Sequence, residues 1–372
     1  MAETRSAVIQ DWFVGPGGSE QVAAEIARLL PGSDVYTTFV DPANRPALAG
    51  HQVRTWPLQR LGLAQKRYRS LLPLYPIWFE ALDLRRFDLV VSSTSAFAKG
   101  VRTRRSATHV AYVHTPMRYA WNLDAYLEGS SFGLGSRVAA RALRPWLRSW
   151  DRRTARRPDV LVANSTAVRD RIGRHWGRDA EVIHPPVNID DIAPSTVDDG
   201  YLLVVARLLA YRRIDLLVEA ASRLGRRAIV VGEGPELGRL RRLAAPTVEF
   251  RGRVDRAEVV TLLARCHAYV VPGEEDFGIA PVEAMGAGKP VVAFRAGGAL
   301  DTVVEGATGV FFDRPTSEAL ADALVAVDQL SFDLRVVRAN AERFAVSVFR
   351  RRFIELFQRL GVDPSLYEAE ST

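Results

Sequence analysis

The sequence predicts an α/β protein built from two successive doubly wound parallel sheets that face each other across a ligand cleft. Three observations carry this. Short apolar runs alternate with helical periodicity from residue 6 to residue 187, and the alternation starts afresh at Tyr201. Residues 270–293 spell a complete strand–loop–helix–strand unit, with an acidic loop at Glu274 to Gly278 and glycine and proline closing the helix. At 372 residues the chain has room for about two domains, on the usual prior of roughly 100–200 residues each.

Composition narrows the class further. No apolar run reaches the roughly 18 residues a membrane helix needs, since residues 71–82 are broken by Pro73, Pro76 and Glu80. Glu3 and Asp11 stand where a signal peptide would carry its apolar core, so none is expected. A single cysteine, Cys266, forms no intramolecular disulfide and suits a cytoplasmic setting. The net charge of +7 is uneven: the first 196 residues hold 27 Lys and Arg against 18 Asp and Glu, the remainder 23 against 25. A basic half fits nucleic acid, an anionic membrane face or an arginine-rich source.

Taken in order, residues 6–9 read as a first strand, residues 12–18 as a glycine-rich loop, and residues 19–30 as a helix with Ser19 as its N-cap. Gly17 and Gly18 would let the backbone approach a phosphate, although a plain tight turn looks the same and no G-x-G-x-x-G fingerprint is present. Residues 35–40 are a second strand. Residues 54–86 mix Lys66, Arg67 and Arg69 with Trp56, Tyr68, Tyr75, Ile77, Trp78 and Phe79, either a membrane-surface patch or core aromatics with solvated cations. A strand at 88–92 leads through a polar loop at 92–97 into a helix. The strand at 110–113 ends at His114, and ligands of open α/β sheets bind at such carboxyl ends. Over 136–153, arginines 137, 141, 144, 148 and 152 share one helix face, and Ala139, Leu143, Trp146 and Trp150 lie about half a turn away. Pro145 should kink this helix or restart it. The basic face is either solvated or set against anionic lipid. Strands follow at 160–163 and 182–188.

The second set opens with a strand at 201–206, then Arg207, Arg212 and Arg213 before a helix running through Ala221. Residues 228–231 and 248–254 are further strands. Glu275 lies in the acidic loop and Glu283 in the helix eight residues on, so the loop must fold back to bring both carboxylates to one cleft. The helix start at Phe277, Gly278 and Ile279 points backbone N–H groups toward a phosphate or sugar oxygen. A last helix covers 349–360.

Glu275 and Glu283 within EDFGIAPVEAMGAGKPVVA closely resemble the acidic motif of retaining GT-B glycosyltransferases of family 4. YVHTPMRYAWN resembles a loop of a bacterial subgroup of that family, PPVN its exit from the first domain, and Gly297-Gly298 its glycine pair, with Asp301 replacing the usual glutamate. The resemblance, which runs from Gly17 to Asp301, implies a GT-B fold. Residues 1–193 would form the acceptor-side domain, 194–345 the nucleotide-sugar domain, and 346–372 a helix returning to the first. It implies that Arg207 and Arg212, the latter in place of the family's lysine, hold the donor diphosphate. By the same resemblance Glu275 contacts sugar hydroxyls and the charge developing on the ring, Glu283 the ribose, and His114 the C6 side of the sugar. Gly17 and Gly18 lie near donor phosphate and acceptor, Arg253 and Val254 near the base, and the N–H groups of Phe277, Gly278 and Ile279 on sugar and phosphate oxygens.

The resulting expectation is an enzyme that moves a hexose, with retention, from a nucleotide diphosphate sugar to a hydroxyl of a glycan or lipid-linked acceptor in cell-surface polysaccharide or glycolipid synthesis. HTPMRYAW resembles mannosyltransferases, which makes GDP-mannose the first choice of donor. No metal or other cofactor is expected, because the chain has no Asp-x-Asp and both glutamates already have roles. An anionic membrane surface is a possible partner, nucleic acid not an expected one. Alternatives are a UDP-sugar-dependent transferase or epimerase on the same fold, and an inactive sugar- or nucleic-acid-binding homologue. A nicotinamide dehydrogenase is disfavoured, since Leu237 stands at the last glycine place after Gly232.

Overall fold

The computed structural model describes residues 4–15, 17–60, 71, 73–124 and 134–368. Lys66, Arg67, Tyr68 and Arg69, on which part of the membrane-surface reading rests, lie outside the described residues. The chain divides into two compact units. The first comprises Met1–Leu123, Ala139–Pro186 and Ser347–Thr372, the second Asp124–Val138 and Val187–Val346.

Seven parallel strands make the sheet of the first unit: β1 (Ser6–Gln10), β2 (Asp34–Thr37), β3 (Gln52–Thr55), β4 (Leu89–Thr94), β5 (Thr108–Val113), β6 (Val160–Ala163) and β7 (Glu181–Val182). Their order is β3-β2-β1-β4-β5-β6-β7. The strand order therefore reverses between β1 and β4, where Val8 pairs with Val91 and Gln10 with Ser93. Both faces of the sheet are covered, which is why its strands read as near-continuous apolar runs. Val8, Val35, Val91 and Val110 share one core with the helix Gly18–Leu29 and with Phe349, Phe353 and Phe357 of the last helix, Val346–Arg359. On the opposite face Ala7, Ile9 and Val90 meet Tyr75, Phe79, Phe97 and Trp150.

The second unit has six parallel strands: β8 (Leu202–Val205), β9 (Ala228–Val231), β10 (Val248–Gly252), β11 (Ala268–Val271), β12 (Val291–Phe294) and β13 (Gly309–Phe312). They lie in the order β10-β9-β8-β11-β12-β13, reversing between β8 and β11. Leu203 and Tyr269 pair across that reversal.

Several local expectations are corrected. Gly17, not Ser19, caps the first helix, and the Ser19 hydroxyl instead donates to Glu20 Oε2 at 2.7 Å. The loop after β4 leads into a single 3-10 turn, Ala98–Gly100, because its N–H groups are claimed by a buried carboxylate described below. Pro145 does not start a new helix: one helix runs from Leu134 to Thr154 with the proline inside it. The strand expected over 182–188 stops at Val182, short of Pro185 and Pro186, which cannot donate to a ladder.

Candidate functional site

Parallel α/β sheets bind ligands beyond the carboxyl ends of their strands, where the order reverses. Both units have such a place, and they are furnished differently.

In the first unit, Asp11 follows β1 directly and is 1 % exposed. Its Oδ2 accepts the N–H groups of Ser95 (2.7 Å) and Ala96 (2.9 Å), and its Oδ1 those of Phe97 (2.8 Å) and Ala98 (2.7 Å). Burial pushes the Asp11 pKa up, and the loop N–H groups and Lys99 oppose it. Each oxygen of the group thus receives two backbone N–H donors. Lys99 Nζ donates to Ala96 O at 2.8 Å and to Asp151 Oδ1 at 2.5 Å, and Asp151 Oδ2 accepts the indole N–H groups of Trp121 and Trp176 at 2.7 Å each. Beside this network, His114 follows β5 and is 8 % exposed; its Nε2 lies 2.8 Å from Ser93 Oγ, and its ring meets Tyr112 edge-on at 5.2 Å. Gly17 and Gly18 open the first helix.

In the second unit, Arg207 follows β8, is exposed, and has no side-chain partner among the described residues. Arg212 ends a 3-10 turn, Ala210–Arg212, and its guanidinium forms an ion pair with Glu275. The same guanidinium stands 5.4 Å from the Tyr211 ring, and its Nε is buried with no acceptor. Arg213, grouped with these two in the sequence, is tied instead to Asp215 at 3.2 Å and has φ 50°, which a non-glycine residue seldom adopts.

Glycines seat these segments on one another. A Cβ at Gly273 would lie 2.6 Å from Tyr211 O and 2.7 Å from Arg212 O, so only glycine lets the arginine turn rest on the end of β11. Gly297 and Gly298 would collide with Glu275 O and Phe277 Cα if they carried side chains, and Gly298 N–H donates to Glu275 O at 2.9 Å. Gly278, at φ 92°, turns the acidic loop into the helix Ile279–Gly286, and Phe277 anchors it in the core against Phe344. Glu283 on that helix is 9 % exposed and accepts from Arg256 Nη1 at 2.6 Å. Burial pushes its pKa up and Arg256 opposes the rise. Arg253 is exposed after β10, and Val254 packs against the core.

Arg207, Arg212, Arg253, Val254, Glu275, Phe277, Gly278, Ile279 and Glu283 thus belong to the second unit, and Gly17, Gly18 and His114 to the first. Sequence reasoning missed Asp11, Ser93, Arg256 and Gly273. Asp11 carried a usable signal, a carboxylate placed directly after the first strand; Arg256 carried none, being 27 residues from its partner. Among the described residues no group of three or more His, Cys, Asp or Glu is arranged to hold a metal, and no helix is long and apolar enough to cross a membrane.

Residues 16–191 match the family described as Glycosyltransferase Family 4, and residues 188–341 match Glycosyl transferases group 1. Among curated proteins, a GDP-mannose-dependent alpha-mannosyltransferase of Mycolicibacterium smegmatis is 29 % identical over 255 residues, covering 65 % of each chain. The phosphatidyl-myo-inositol mannosyltransferase of Mycobacterium leprae is 31 % identical over 56 % of this chain and 63 % of its own. The chain thus spans less than two thirds of the length of these relatives. Among solved structures, Anabaena Alr3699/HepE in complex with UDP superposes with a TM-score of 0.70 at 21 % identity, over 96 % of this chain and 100 % of its own. Sucrose-phosphate synthase from Thermosynechococcus elongatus gives 0.65 at 16 % identity, over 96 % and 99 %.

Proposed function

Because the chain belongs to the glycosyltransferases of family 4 and has their GT-B fold, we propose that it transfers a hexose, with retention of configuration, from a nucleotide diphosphate sugar to a hydroxyl acceptor. The observation that carries this reading is the pair of glutamates beyond the strand ends of the second unit, each facing a guanidinium, with Arg207, which has no side-chain partner among the described residues, nearby in the chain.

In this reading the diphosphate is the leaving group, and Arg207 and Arg212 donate charge-assisted hydrogen bonds to the oxygens on which its charge grows. Arg212 must then turn from Glu275 toward the phosphate, which frees the carboxylate for the sugar at the stage when its ring becomes positive. Glu283 takes the ribose hydroxyls, and the N–H groups of Phe277, Gly278 and Ile279 take sugar and phosphate oxygens. His114 is assigned to the C6 side of the sugar by the family resemblance, and its ring is hydrogen-bonded to Ser93. Mannose from GDP-mannose is the preferred donor, supported by the names of the curated relatives; the acceptor is a hydroxyl of a glycan or lipid-linked sugar.

Incubating the protein with GDP-mannose, UDP-glucose and related donors, and measuring which nucleoside diphosphate is released, tests the proposal. Release of GDP from GDP-mannose is the expected result. UDP release from UDP-glucose alone replaces the donor, and binding without release from any donor replaces the enzyme by an inactive sugar-binding homologue.

A further inference from the structure

Arg256 reaches Glu283 from a separate helix. That helix, Arg256–Arg265, follows β10 and opens on Asp255, whose backbone is extended and whose side chain accepts the Glu258 N–H at 2.8 Å. The cap fixes the direction in which Arg256, the first helical residue, leaves the backbone. Arg256 Nη1 donates to Glu283 Oε1 at 2.6 Å. Among the described residues no other carboxylate competes for it, since Glu258 and Glu249 are both held by Arg251. Glu283 is 9 % exposed and is held through this one oxygen; its Oε2 takes no donor among the described residues.

The surrounding charges are committed to other partners. Arg338 donates to Gly286 O and Ile192 O at 2.6 and 2.7 Å, Lys289 Nζ donates to Val197 O, and Arg212 pairs with Glu275. Tyr269 of β11 faces Glu283 as a neutral phenol, because burial pushes its pKa up. Its hydroxyl donates to Val205 O at 3.0 Å and accepts Val205 N–H at 3.1 Å. Burial alone would make Glu283 an acid, and Arg256 opposes this. The difference matters to a ligand: an acid turns one oxygen into a donor, whereas an anion offers acceptors on both, which is what the two O–H groups of a vicinal diol require. Arg212 has to leave Glu275 before that carboxylate can meet a sugar. Arg256 can stay, since Oε2 is open and Oε1 keeps a second lone pair.

We propose that Arg256 is a positioning residue for the donor: it remains on Oε1, keeps Glu283 an anion whose other lone pairs receive the vicinal ribose hydroxyls, and thereby sets the acid limit of donor binding. The proposal rests on the reading of the chain as a nucleotide-sugar transferase. Its test is equilibrium binding of GDP-mannose and of UDP-glucose, without acceptor, from about pH 5 to about pH 8.5, with Tm measured alongside. A sugar-capped diphosphate does not titrate in this range, so a shift in the acid limit between variants belongs to the protein. For whichever donor binds, affinity should fall on the acid side, and in Arg256→Gln the fall should begin at higher pH because burial then goes unopposed. At about pH 5.5 this variant should bind at least about tenfold more weakly than the wild type, and at about pH 8.5 within about threefold of it. Arg256→Lys should restore the wild-type limit, since it restores the charge. In Glu283→Gln, which cannot titrate at this position, adding Arg256→Gln should change affinity by less than about twofold; with neither charge left to bury, this double variant decides the matter even if Arg256→Gln alone does not fold. Three results overturn the inference while the function reading stands: an acid limit unmoved by Arg256→Gln, a loss of equal size at every pH, or a further loss of about tenfold when Arg256→Gln is added to Glu283→Gln. Failure of the wild type to bind either donor at any pH overturns the function reading, and the inference with it.

Discussion

The two places where strand order reverses carry the same chemical type, a carboxylate after a strand, with opposite partners. At β1 and β4, Asp11 is bound by four backbone N–H groups, and Lys99 and Asp151 close a network that is at most 1 % exposed. At β8 and β11, Glu275 is bound by the side chain of Arg212 and remains partly open to solvent. Backbone donors cannot leave without unfolding the loop, whereas a guanidinium can rotate away when a substrate arrives. The first arrangement is scaffold and the second is exchangeable, and this difference separates stability from turnover among otherwise similar charged residues.

The sharpest way to break the comparison is to remove a charge from the scaffold. Lys99→Met leaves Asp151 buried without its cation, which typically costs 3–5 kcal/mol, so urea unfolding should show a loss of about that size. A variant within about 1 kcal/mol of the wild type would mean that the indole N–H groups of Trp121 and Trp176 alone satisfy Asp151, and the scaffold reading would fail.

In the exchangeable site the same kind of deletion should leave stability alone and strike turnover. Glu275→Gln is expected to lower kcat by about a hundredfold with little change in KM, because a carboxylate facing developing positive charge matters most in the transition state. Glu283→Gln should chiefly raise KM for the donor. Steady-state kinetics on both variants, with thermal melts alongside, checks the division. Equal losses in both parameters for both variants would remove the assigned roles.

How much of this was legible in the sequence follows from what each signal depends on. Strand runs and the acidic loop are local, and they placed both sheets, Glu275 and Glu283. Partners set by tertiary contact were not legible: Arg256 meets Glu283 across 27 residues, and Gly273 looks like any strand-end glycine until the turn at Arg212 is seen resting on it. Whether Pro145 restarts its helix was not legible either, since a proline inside a helical pattern fits a restart as well as a continuous helix, and here the helix continues past it. Arg213 stands beside Arg212 in the sequence, and charge alone does not reveal that Asp215, two residues on, already holds it.

Arg207 sharpens the comparison from another side, since it has no partner among the described residues to hold it. If it meets the leaving diphosphate, Arg207→Ala loses at least about tenfold in kcat, one charge-assisted hydrogen bond being worth about 1.5–3 kcal/mol. Full activity should persist in EDTA, because the arginines supply the positive charge. Loss of turnover in EDTA, restored by magnesium or manganese, would overturn the arginine clamp.

The smallest effect expected is that of Arg212→Lys. Arg212 ends a turn seated on Gly273, so the backbone that aims its side chain does not depend on the guanidinium. Its Nε is buried without an acceptor, and an unsatisfied buried donor costs about 1–3 kcal/mol. Lysine removes that donor and keeps a positive charge within reach of Glu275 and of a bound diphosphate. It gives up the guanidinium's contact with the Tyr211 ring and the forked geometry on two phosphate oxygens. These changes oppose one another. The variant should therefore keep kcat within about threefold of the wild type, one such factor being about 0.65 kcal/mol, and its Tm should not fall. If Arg212→Lys instead loses as much as Arg207→Ala, the fork rather than the charge is what the transition state needs. The pairing with Glu275 would then be a fixed part of the site, as immobile as the bonds around Asp11, and the contrast between the two sheets would no longer hold.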